Sequence, residues 1–280
     1  MKNNLKKYYG IFALPTTVVF AVVFLIPFIL GLYLSFCDFT TVSDSVFSGL
    51  KNYKSIFSDE NFLNSLWFTV KFTVVSVISV NVIAFSLALL LTNKIKGTNF
   101  FRTVFFMPNL IGGIVLGYIW QLIINGVLAR LGVTITYDPS YGFWGLVVLM
   151  NWQMIGYMMI IYIAGIGNIP KDLIDAAKVD GATSFGVLRH VIIPMVMPSV
   201  TICLFLTLTN SFKLFDANLA LTDGAPSRQT AMLALDIYKT FYGAVGSQGA
   251  GQAKAVIFFL LLAAVSLIQL KITRNKEVEA

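Results

Sequence analysis

The feature that most constrains this chain is a set of six long runs without Asp, Glu, Lys or Arg. Five of the runs can each supply about 20 mostly apolar residues, the length at which an α-helix crosses the hydrocarbon core of a bilayer. The sixth run, between Lys254 and Lys271, is shorter, and we expect these two side chains to reach the membrane interfaces by snorkelling. Helices follow because backbone groups in lipid must be hydrogen-bonded within the segment. We therefore predict an all-α membrane protein with six transmembrane helices, at residues 11–36, 66–92, 103–124, 143–166, 191–212 and 253–272.

The composition supports a membrane protein and excludes several other classes. Of the 280 residues, 57% are hydrophobic and only 12% are charged, and the mean hydropathy is +0.81. That is too apolar for a soluble domain of this length. We predict a single transmembrane domain over residues 1–280. The formal net charge of +7 requires no nucleic-acid partner, because it follows mostly from topology, with some attraction to anionic membrane lipid.

Lys and Arg are distributed unevenly between the two sides that six spans create. The side that holds both termini is the more basic, although the opposite loops, at 38–65, 125–142 and 214–252, are longer. The positive-inside rule therefore predicts that both termini lie in the cytoplasm. The basic residues on that side are Lys2, Lys6, Lys7, Lys94, Lys96, Arg102, Lys171, Lys178, Arg189, Lys271, Arg274 and Lys276.

The polar segment between the fourth and fifth predicted spans, at about 168–194, has helical character that a simple connecting loop does not need. Asn168 can cap a helix with Pro170 just inside its start. Gly181 is a suitable left-handed terminator, and Ser184 can cap a second short helix. We therefore predict a structured cytoplasmic segment that is built to be held by another protein.

Polar side chains within the predicted spans are the candidates for contact with a solute, because they are costly in lipid and usually face an interior. Aromatic faces beside amide groups suit a sugar, although the same residues also suit helix packing and interfacial anchoring. At the outer end of the fifth span, Lys213 and Asp216 either pair with each other or meet a ligand. The candidate substrate residues are Asn81, Asn109, Gln121, Asn151, Trp152, Asn210 and Asp216.

The sequence contains no catalytic or metal-binding pattern. The one histidine, His190, suits a surface or capping role, and no His or Cys residues have metal-ligand spacing. There is neither a Gly-x-Ser-x-Gly nucleophile motif nor a Gly-x-x-x-x-Gly-Lys-Ser/Thr phosphate loop. We therefore predict no catalytic residue, no metal and no cofactor in this chain, and any nucleotide hydrolysis must be performed by another chain.

The 168–194 segment resembles a motif of the permease subunits of ATP-binding-cassette (ABC) importers for sugars, the maltose/oligosaccharide class of binding-protein-dependent transport system inner membrane components. In that family the loop reads Glu-Ala-Ala, three residues, Gly, nine residues and Ile-x-Leu-Pro. This chain has Asp175-Ala176-Ala177, then Gly181, then Val191-Ile192-Ile193-Pro194, at the same spacing. Asp175, Val191 and Ile193 are conservative departures. Further similarity to the sugar class extends from Arg102 to Thr230, including Phe215-Asp216 and the stretch 221–226.

The resemblance implies a transport subunit in a bacterial plasma membrane, and not an enzyme. A second, different permease subunit completes the pathway, two ATPase subunits bind ATP and Mg, and an extracellular binding protein delivers the sugar. The cytoplasmic helix couples this chain to an ATPase subunit, and Asp175 is the charge best placed for an ion pair there. The residues assigned to ATPase coupling are Asp175, Ala176, Ala177, Asp180, Gly181 and Pro194.

Two alternatives remain open at this stage. One is an ABC importer permease for another solute, such as an amino acid, phosphate or metal; spans rich in aromatic and amide side chains favour a neutral, hydroxyl-rich substrate instead. The other is a membrane-embedded enzyme or a stand-alone channel. The absence of a catalytic pattern argues against an enzyme, and the docking helix argues against a channel.

Overall fold

In the computed structural model the chain is predominantly helical. The structure describes the backbone of residues 2–93 and 96–277, and the side chains of residue 10 and of 12–93 and 96–277. Lys94 and the side chains of Lys2, Lys6 and Lys7, which contribute to the predicted orientation, lie outside the described residues. In chain order the elements are α1 (Lys2–Phe20), α2 (Ile26–Leu34), β1 (Cys37–Asp38), β2 (Val46–Phe47), α3 (Lys51–Phe57), α4 (Glu60–Thr92), α5 (Thr98–Phe106), α6 (Gly113–Leu128), α7 (Pro139–Gly167), α8 (Lys171–Val179), α9 (Ser184–Val187), α10 (Ile193–Met195), α11 (Met197–Phe212), α12 (Asp216–Leu221), α13 (Leu233–Gly243) and α14 (Gln248–Arg274).

The predicted multi-span architecture is confirmed. Among the described residues, five helices are long and apolar enough to cross a membrane, and a bent helix pair can supply a sixth span. The single helices cover Phe12–Leu34, Glu60–Thr92, Gly113–Leu131, Pro139–Gly167 and Gln248–Arg274, and the bent pair covers Ser184–Met195 and Met197–Phe212.

The chain divides into two compact units. The first unit comprises Met1–Glu60 and Ile237–Phe259, and the second comprises Asn61–Asp236 and Leu260–Ala280. This division concerns compactness alone, so the single transmembrane domain over residues 1–280 stays a prediction.

In the first unit a buried ion pair joins the start of α14 to the chain just before α4. Lys254 Nζ lies 2.7 Å from Asp59 Oδ2 and donates a hydrogen bond to Thr240 Oγ1 at 2.8 Å. Only 1% of Lys254 is exposed. The sequence-based expectation that Lys254 reaches the membrane interface by snorkelling is therefore wrong, because its ammonium group is satisfied inside the protein.

In the second unit a buried polar chain links three of the long helices. The Tyr162 hydroxyl on α7 donates to Asn81 Oδ1 on α4 at 2.7 Å, and Asn81 Nδ2 donates to Thr207 Oγ1 on α11 at 2.9 Å. Apolar side chains such as Phe72 and Met158 fill the surrounding core. In this structure Asn81 therefore joins helices to one another.

The predicted third span, 103–124, is not one helix. After α5 the chain forms a 3₁₀ turn at Met107–Leu110, becomes extended at Ile111 and Gly112, and only then begins α6. Pro108 has no backbone N–H to donate to the preceding turn, which weakens a continuous helix at this point. Hydropathy does not detect such a break, because the residues on both sides of it are apolar.

The predicted fifth span, 191–212, is also interrupted. The segments Ser184–Met195 and Met197–Phe212 meet at a bend of 69°. Pro194 and Pro198 flank the bend, and each removes one N–H donor from the helical ladder. A π-helical turn at Leu188–Ile192 precedes the bend.

The long connection at 214–252, predicted as an outer loop, contains helices α12 and α13. Asn218 on α12 stabilises the turn that follows it. Its Nδ2 donates to the Thr230 carbonyl at 2.8 Å, and its Oδ1 accepts from the Met232 N–H at 2.9 Å. Buried hydrogen bonds therefore order this connection despite its Gly and Pro content.

Candidate functional site

The segment 168–194, which we call the inter-span segment, begins differently from its prediction. Asn168 caps the C-terminus of α7, and Pro170 is the N-cap residue of α8, so the predicted helix-starting role of Asn168 is wrong. The chain turns tightly between the two helices because Asn168 and Ile169 still donate backbone hydrogen bonds to the last turn of α7. Helix α8 therefore starts abruptly after a long apolar helix.

Helix α8 ends as predicted, at a glycine in the left-handed conformation. Gly181 has φ +83°, a region that is costly for residues with a Cβ. Its N–H donates to the Lys178 carbonyl at 3.0 Å, and the Ala182 N–H donates to the Ala177 carbonyl at 2.9 Å. This pair of bonds defines a Schellman motif, which fixes the direction in which the chain leaves α8.

The surface of α8 is suited to contact with another protein. Asp175 and Ala176 are exposed, and Asp175 Oδ1 lies 3.6 Å from Lys178 Nζ on the same helix. An exposed ion pair of this kind is weak, so Asp175 remains available to a partner cation. The apolar side chain of Val179 is 87% exposed, and Phe185 on α9 is also exposed. Exposed apolar groups beside charges are typical of a docking surface.

The remaining predicted residues of this segment are also located. Asp180 is the C-cap residue of α8, and Pro194 lies in α10 at the bend that leads into α11. Thr183, not the predicted Ser184, caps α9, because the Thr183 hydroxyl accepts a hydrogen bond from the Gly186 N–H. The exposed Phe185 was missed by the sequence analysis, although its position next to a cap residue was a usable signal.

Three of the predicted substrate residues line one cavity in the second unit. This cavity, which we call the polar cavity, has a volume of about 270 Å³. Asn109 reaches it from the 3₁₀ turn, Asn210 from the last turn of α11 and Asp216 from the first turn of α12. Gln153 on α7 also lines it. The break in the third predicted span is therefore the feature that places Asn109 at this site.

The other predicted substrate residues lie away from this cavity. Asn81 belongs to the buried polar chain described above. Asn151 Nδ2 donates to Ser79 Oγ at 2.9 Å, and Gln121 Nε2 donates to the Leu221 carbonyl at 2.9 Å. Trp152 is 43% exposed and packs edge-to-face with Trp120, at a ring distance of 5.7 Å. The structure thus shows Asn81, Asn151 and Gln121 in helix-to-helix contacts.

Lys213 and Asp216 both line the polar cavity without pairing. Lys213 caps the C-terminus of α11 and Asp216 begins α12, so they lie on different helices and not one turn apart on a single helix. Among the described residues, Lys213 and Asp216 form no ion pair within 4 Å. The mouth of the cavity therefore offers both a cation and an anion to hydrogen-bonding groups.

Close packing of α6 against α12 forms one wall of the polar cavity. A Cβ added at Gly113 would overlap the Asp216 Cβ, and one at Gly117 would overlap the Ala220 Cβ. The spacing Gly113-x-x-x-Gly117 is the small-residue pattern that lets membrane helices approach closely. The sequence analysis missed this pattern, which would have predicted that α6 has a tightly packed partner.

Comparisons with known proteins identify the family of this chain. Residues 80–277 match the family model described as "Binding-protein-dependent transport system inner membrane component". The chain is 48% identical over 287 aligned residues to the "Probable starch degradation products transport system permease protein AmyD" of Thermoanaerobacterium thermosulfurigenes, covering 99% of this chain and 97% of that protein. It is 29% identical to the "Multiple sugar-binding transport system permease protein MsmF" of Streptococcus mutans, covering 99% of both.

A solved structure has the same fold. The match is to a bacterial ABC transporter involved in the import of the acidic polysaccharide alginate, with a TM-score of 0.82 and 20% identity, covering 98% of both chains. At that identity the likeness concerns the fold alone.

Proposed function

The chain belongs to the family of binding-protein-dependent transport system inner membrane components, and from this premise we propose that it is the permease subunit of an ABC importer for an oligosaccharide. The observation that carries the substrate class is the 48% identity, over nearly the whole chain, to a permease for starch degradation products. The family and these relatives are transport subunits, which favours transport over a membrane-embedded enzyme or a channel.

The importer contains further chains. The family description names a binding protein, which in this proposal is extracellular and delivers the sugar. Two ATPase subunits bind ATP and Mg and supply the energy, since this sequence has no phosphate loop. A second, homologous permease subunit forms the other half of the pathway, so that the membrane part is a heterodimer.

The proposed orientation places both termini and the inter-span segment in the cytoplasm of a bacterial cell. It follows from the excess of Lys and Arg on that side. In this orientation α8 docks onto an ATPase subunit, with Asp175 and Asp180 facing its cations. Ala176 and Ala177 allow the ATPase to approach the helix backbone closely. Gly181 fixes the direction in which the chain leaves α8. The bend at Pro194 transmits a displacement of α8 into α11.

The proposed sugar-contacting site is the polar cavity. Amide groups of Asn109, Gln153 and Asn210 can donate to and accept from hydroxyl groups, and so they suit a neutral sugar. Lys213 and Asp216 at the mouth add charge-assisted hydrogen bonds. The predicted contacts of Asn81, Gln121, Asn151 and Trp152 with sugar have less support, because three of these side chains are engaged in contacts between helices.

Reconstituted transport tests this proposal. The complex that copurifies with the tagged chain is placed in liposomes with its binding protein, and ATP-dependent uptake of a starch-derived oligosaccharide is measured. Asn210→Leu removes one hydrogen-bonding group from the cavity, worth about 1 kcal/mol, and should raise the KM for sugar about fivefold with little change in ATPase activity. Asn64→Leu, at an exposed amide outside the polar cavity, is the matched control.

Two results would contradict the proposal. The first is ATP hydrolysis by the purified chain alone, because the energy source is assigned to another subunit. The second is uptake of the oligosaccharide that proceeds without any copurifying ATPase.

A further inference from the structure

A second cavity, of about 600 Å³, adjoins the inter-span segment within the second unit. We call it the elbow cavity. Its walls come from the C-terminal turns of α4 and α7 and from α8, α9 and the π-helical turn Leu188–Ile192. Its volume lies within the range of sites that hold small molecules. None of the residues assigned to ATPase coupling or to sugar contact lines it.

The interior of the elbow cavity is apolar. Leu89 and Ile166 contribute from the long helices, and Ile174, Leu188 and Ile192 contribute from the inter-span segment. Such a lining favours hydrocarbon over water, because covering apolar surface removes it from water. The interior therefore suits part of an acyl chain better than a hydrophilic solute.

The rim of the elbow cavity is polar and carries a cation. Lys178 lies there together with Thr92, Asn93 and Ser184. The pairing of Lys178 with Asp175, at 3.6 Å, is exposed, and an ammonium group has three N–H donors, so it can bind a second anion. Lys178 is the only charged side chain among the described residues that line this cavity. The charge therefore favours an anionic head group.

From this arrangement we propose that the elbow cavity binds an anionic phospholipid of the adjoining leaflet, with its phosphate at Lys178 and part of an acyl chain against Leu89 and Ile174. The inference rests on the proposed orientation, in which this end of α4 and α7 meets the cytoplasmic leaflet. That leaflet is enriched in anionic lipid, and basic pockets between membrane helices at this level bind such head groups.

A lipid in this position contacts both the helix that docks onto the ATPase and the ends of two spans. It therefore adds contacts between α8 and the ends of α4 and α7. Anionic lipid is expected to stabilise one arrangement of α8 relative to these spans and so to change how efficiently ATP hydrolysis is coupled to transport.

Direct lipid binding tests the proposal independently of transport. The delipidated complex is titrated in detergent with phosphatidylglycerol, phosphatidylcholine or inorganic phosphate, without sugar or ATP, and bound molecules are counted by native mass spectrometry. One molecule of phosphatidylglycerol should bind about fivefold more tightly than phosphatidylcholine, because one basic residue near an anionic lipid contributes roughly 1 kcal/mol. Inorganic phosphate alone should not displace the bound lipid.

Two variants locate the site. Lys178→Gln should abolish the preference for phosphatidylglycerol, whereas Lys171→Gln, the same change on α8 outside the cavity, should retain it. Leu89→Trp fills the apolar interior and should weaken binding of both lipids. Equal binding of the two lipids, displacement by inorganic phosphate, or equal effects of the two Lys variants would overturn the proposal. Because no transport step is measured, failure of the import function would leave these results unaffected.

Discussion

At the residue scale, Gly181 has a left-handed backbone conformation that is energetically unfavourable for residues with a Cβ. Replacing it with Val should cost about 1–2 kcal/mol in the left-handed region and should release the Schellman motif that directs the chain out of α8. Because a difference of this size changes an equilibrium by a factor of roughly 5 to 30, we expect coupled sugar uptake to fall about tenfold. Uptake and ATPase activity of the reconstituted complex are the measurements.

The control for this change is Gly167→Ala at the end of α7. A Cβ there meets nothing within 4 Å and the residue has no left-handed conformation, so uptake should stay near that of the unmodified protein. Normal coupled uptake by a fully assembled Gly181→Val complex would show that the direction of α8 does not matter for docking.

Asn81 gives a second test at this scale, because its side chain is predicted from the sequence to contact substrate and is found in a buried hydrogen-bonded chain. Asn81→Leu removes the acceptor of the Tyr162 hydroxyl and the donor to the Thr207 hydroxyl, which keeps its hydrogen bond to the Cys203 carbonyl. Interhelical hydrogen bonds in membranes are worth about 0.6 kcal/mol each on average, so we expect a loss of about 1 kcal/mol in unfolding free energy. The KM for sugar should not change.

The Asn81 measurements are detergent-induced unfolding and transport kinetics on the same variant. Tyr162→Phe, which removes one of the same hydrogen bonds, is the companion change, and the two effects should be less than additive. A raised KM for sugar with an unchanged unfolding free energy would indicate instead that Asn81 contacts the substrate.

At the scale of elements, hydropathy and helix-stop signals predict different parts of the fold. The positions of the candidate spans follow from uncharged runs, and the end of α8 follows from Gly181, since both depend on properties of local sequence. The breaks near Pro108 and at Val196 depend on which backbone groups find partners in neighbouring helices. Those partners are set by the tertiary structure, and in the sequence only the prolines indicate that a helix can break there.

The polar cavity was predictable only in part for the same reason. Asn109, Asn210 and Asp216 were recognised as polar residues in apolar surroundings, but so were Asn81, Asn151 and Gln121, which pack against other helices instead. Residue type cannot separate these groups, because an amide satisfies a neighbouring helix and a sugar hydroxyl equally well. The rotation of the helices relative to one another, together with the break before α6, decides which of them reaches the cavity.

Packing between α5 and α7 allows an element-scale prediction. A Cβ at Gly156 would overlap the backbone carbonyl of Phe105, so the two helices require glycine at this contact. Gly156→Leu should separate them at a cost of about 3 kcal/mol, and we expect a lower unfolding temperature together with a loss of transport, since the turn that carries Asn109 follows α5 directly.

Gly126→Leu on α6 is the matched control for that change. A Cβ at Gly126 meets nothing within 4 Å, and added apolar bulk there should leave the unfolding temperature nearly unchanged. Equal unfolding temperatures for Gly126→Leu and Gly156→Leu would contradict the packing of α5 against α7.

At the scale of the whole molecule, helix α11 joins the bend that follows the proposed docking segment to the proposed sugar site. Helix α11 has 16 residues, which is about 24 Å at 1.5 Å per residue. It begins at the bend after Pro194 and ends in the turn that carries Asn210. A displacement of α8 can therefore reach the polar cavity through the connected segments α9, α10 and α11, without any chemistry in this chain.

That arrangement requires the ends of the chain to have the proposed orientation, which labelling can test. Cys37 and Cys203 are buried and are first replaced with Ala. Val179→Cys on α8 and Val245→Cys after α13 then provide a matched pair, because the native side chains are 87% and 86% exposed. In right-side-out vesicles a membrane-impermeant maleimide should label Cys at 245 only, and in inverted vesicles of the chain produced without its ATPase subunits it should label Cys at 179 only. Labelling of both positions from the same side would contradict the positive-inside assignment and, with it, the docking of α8 onto a cytoplasmic ATPase.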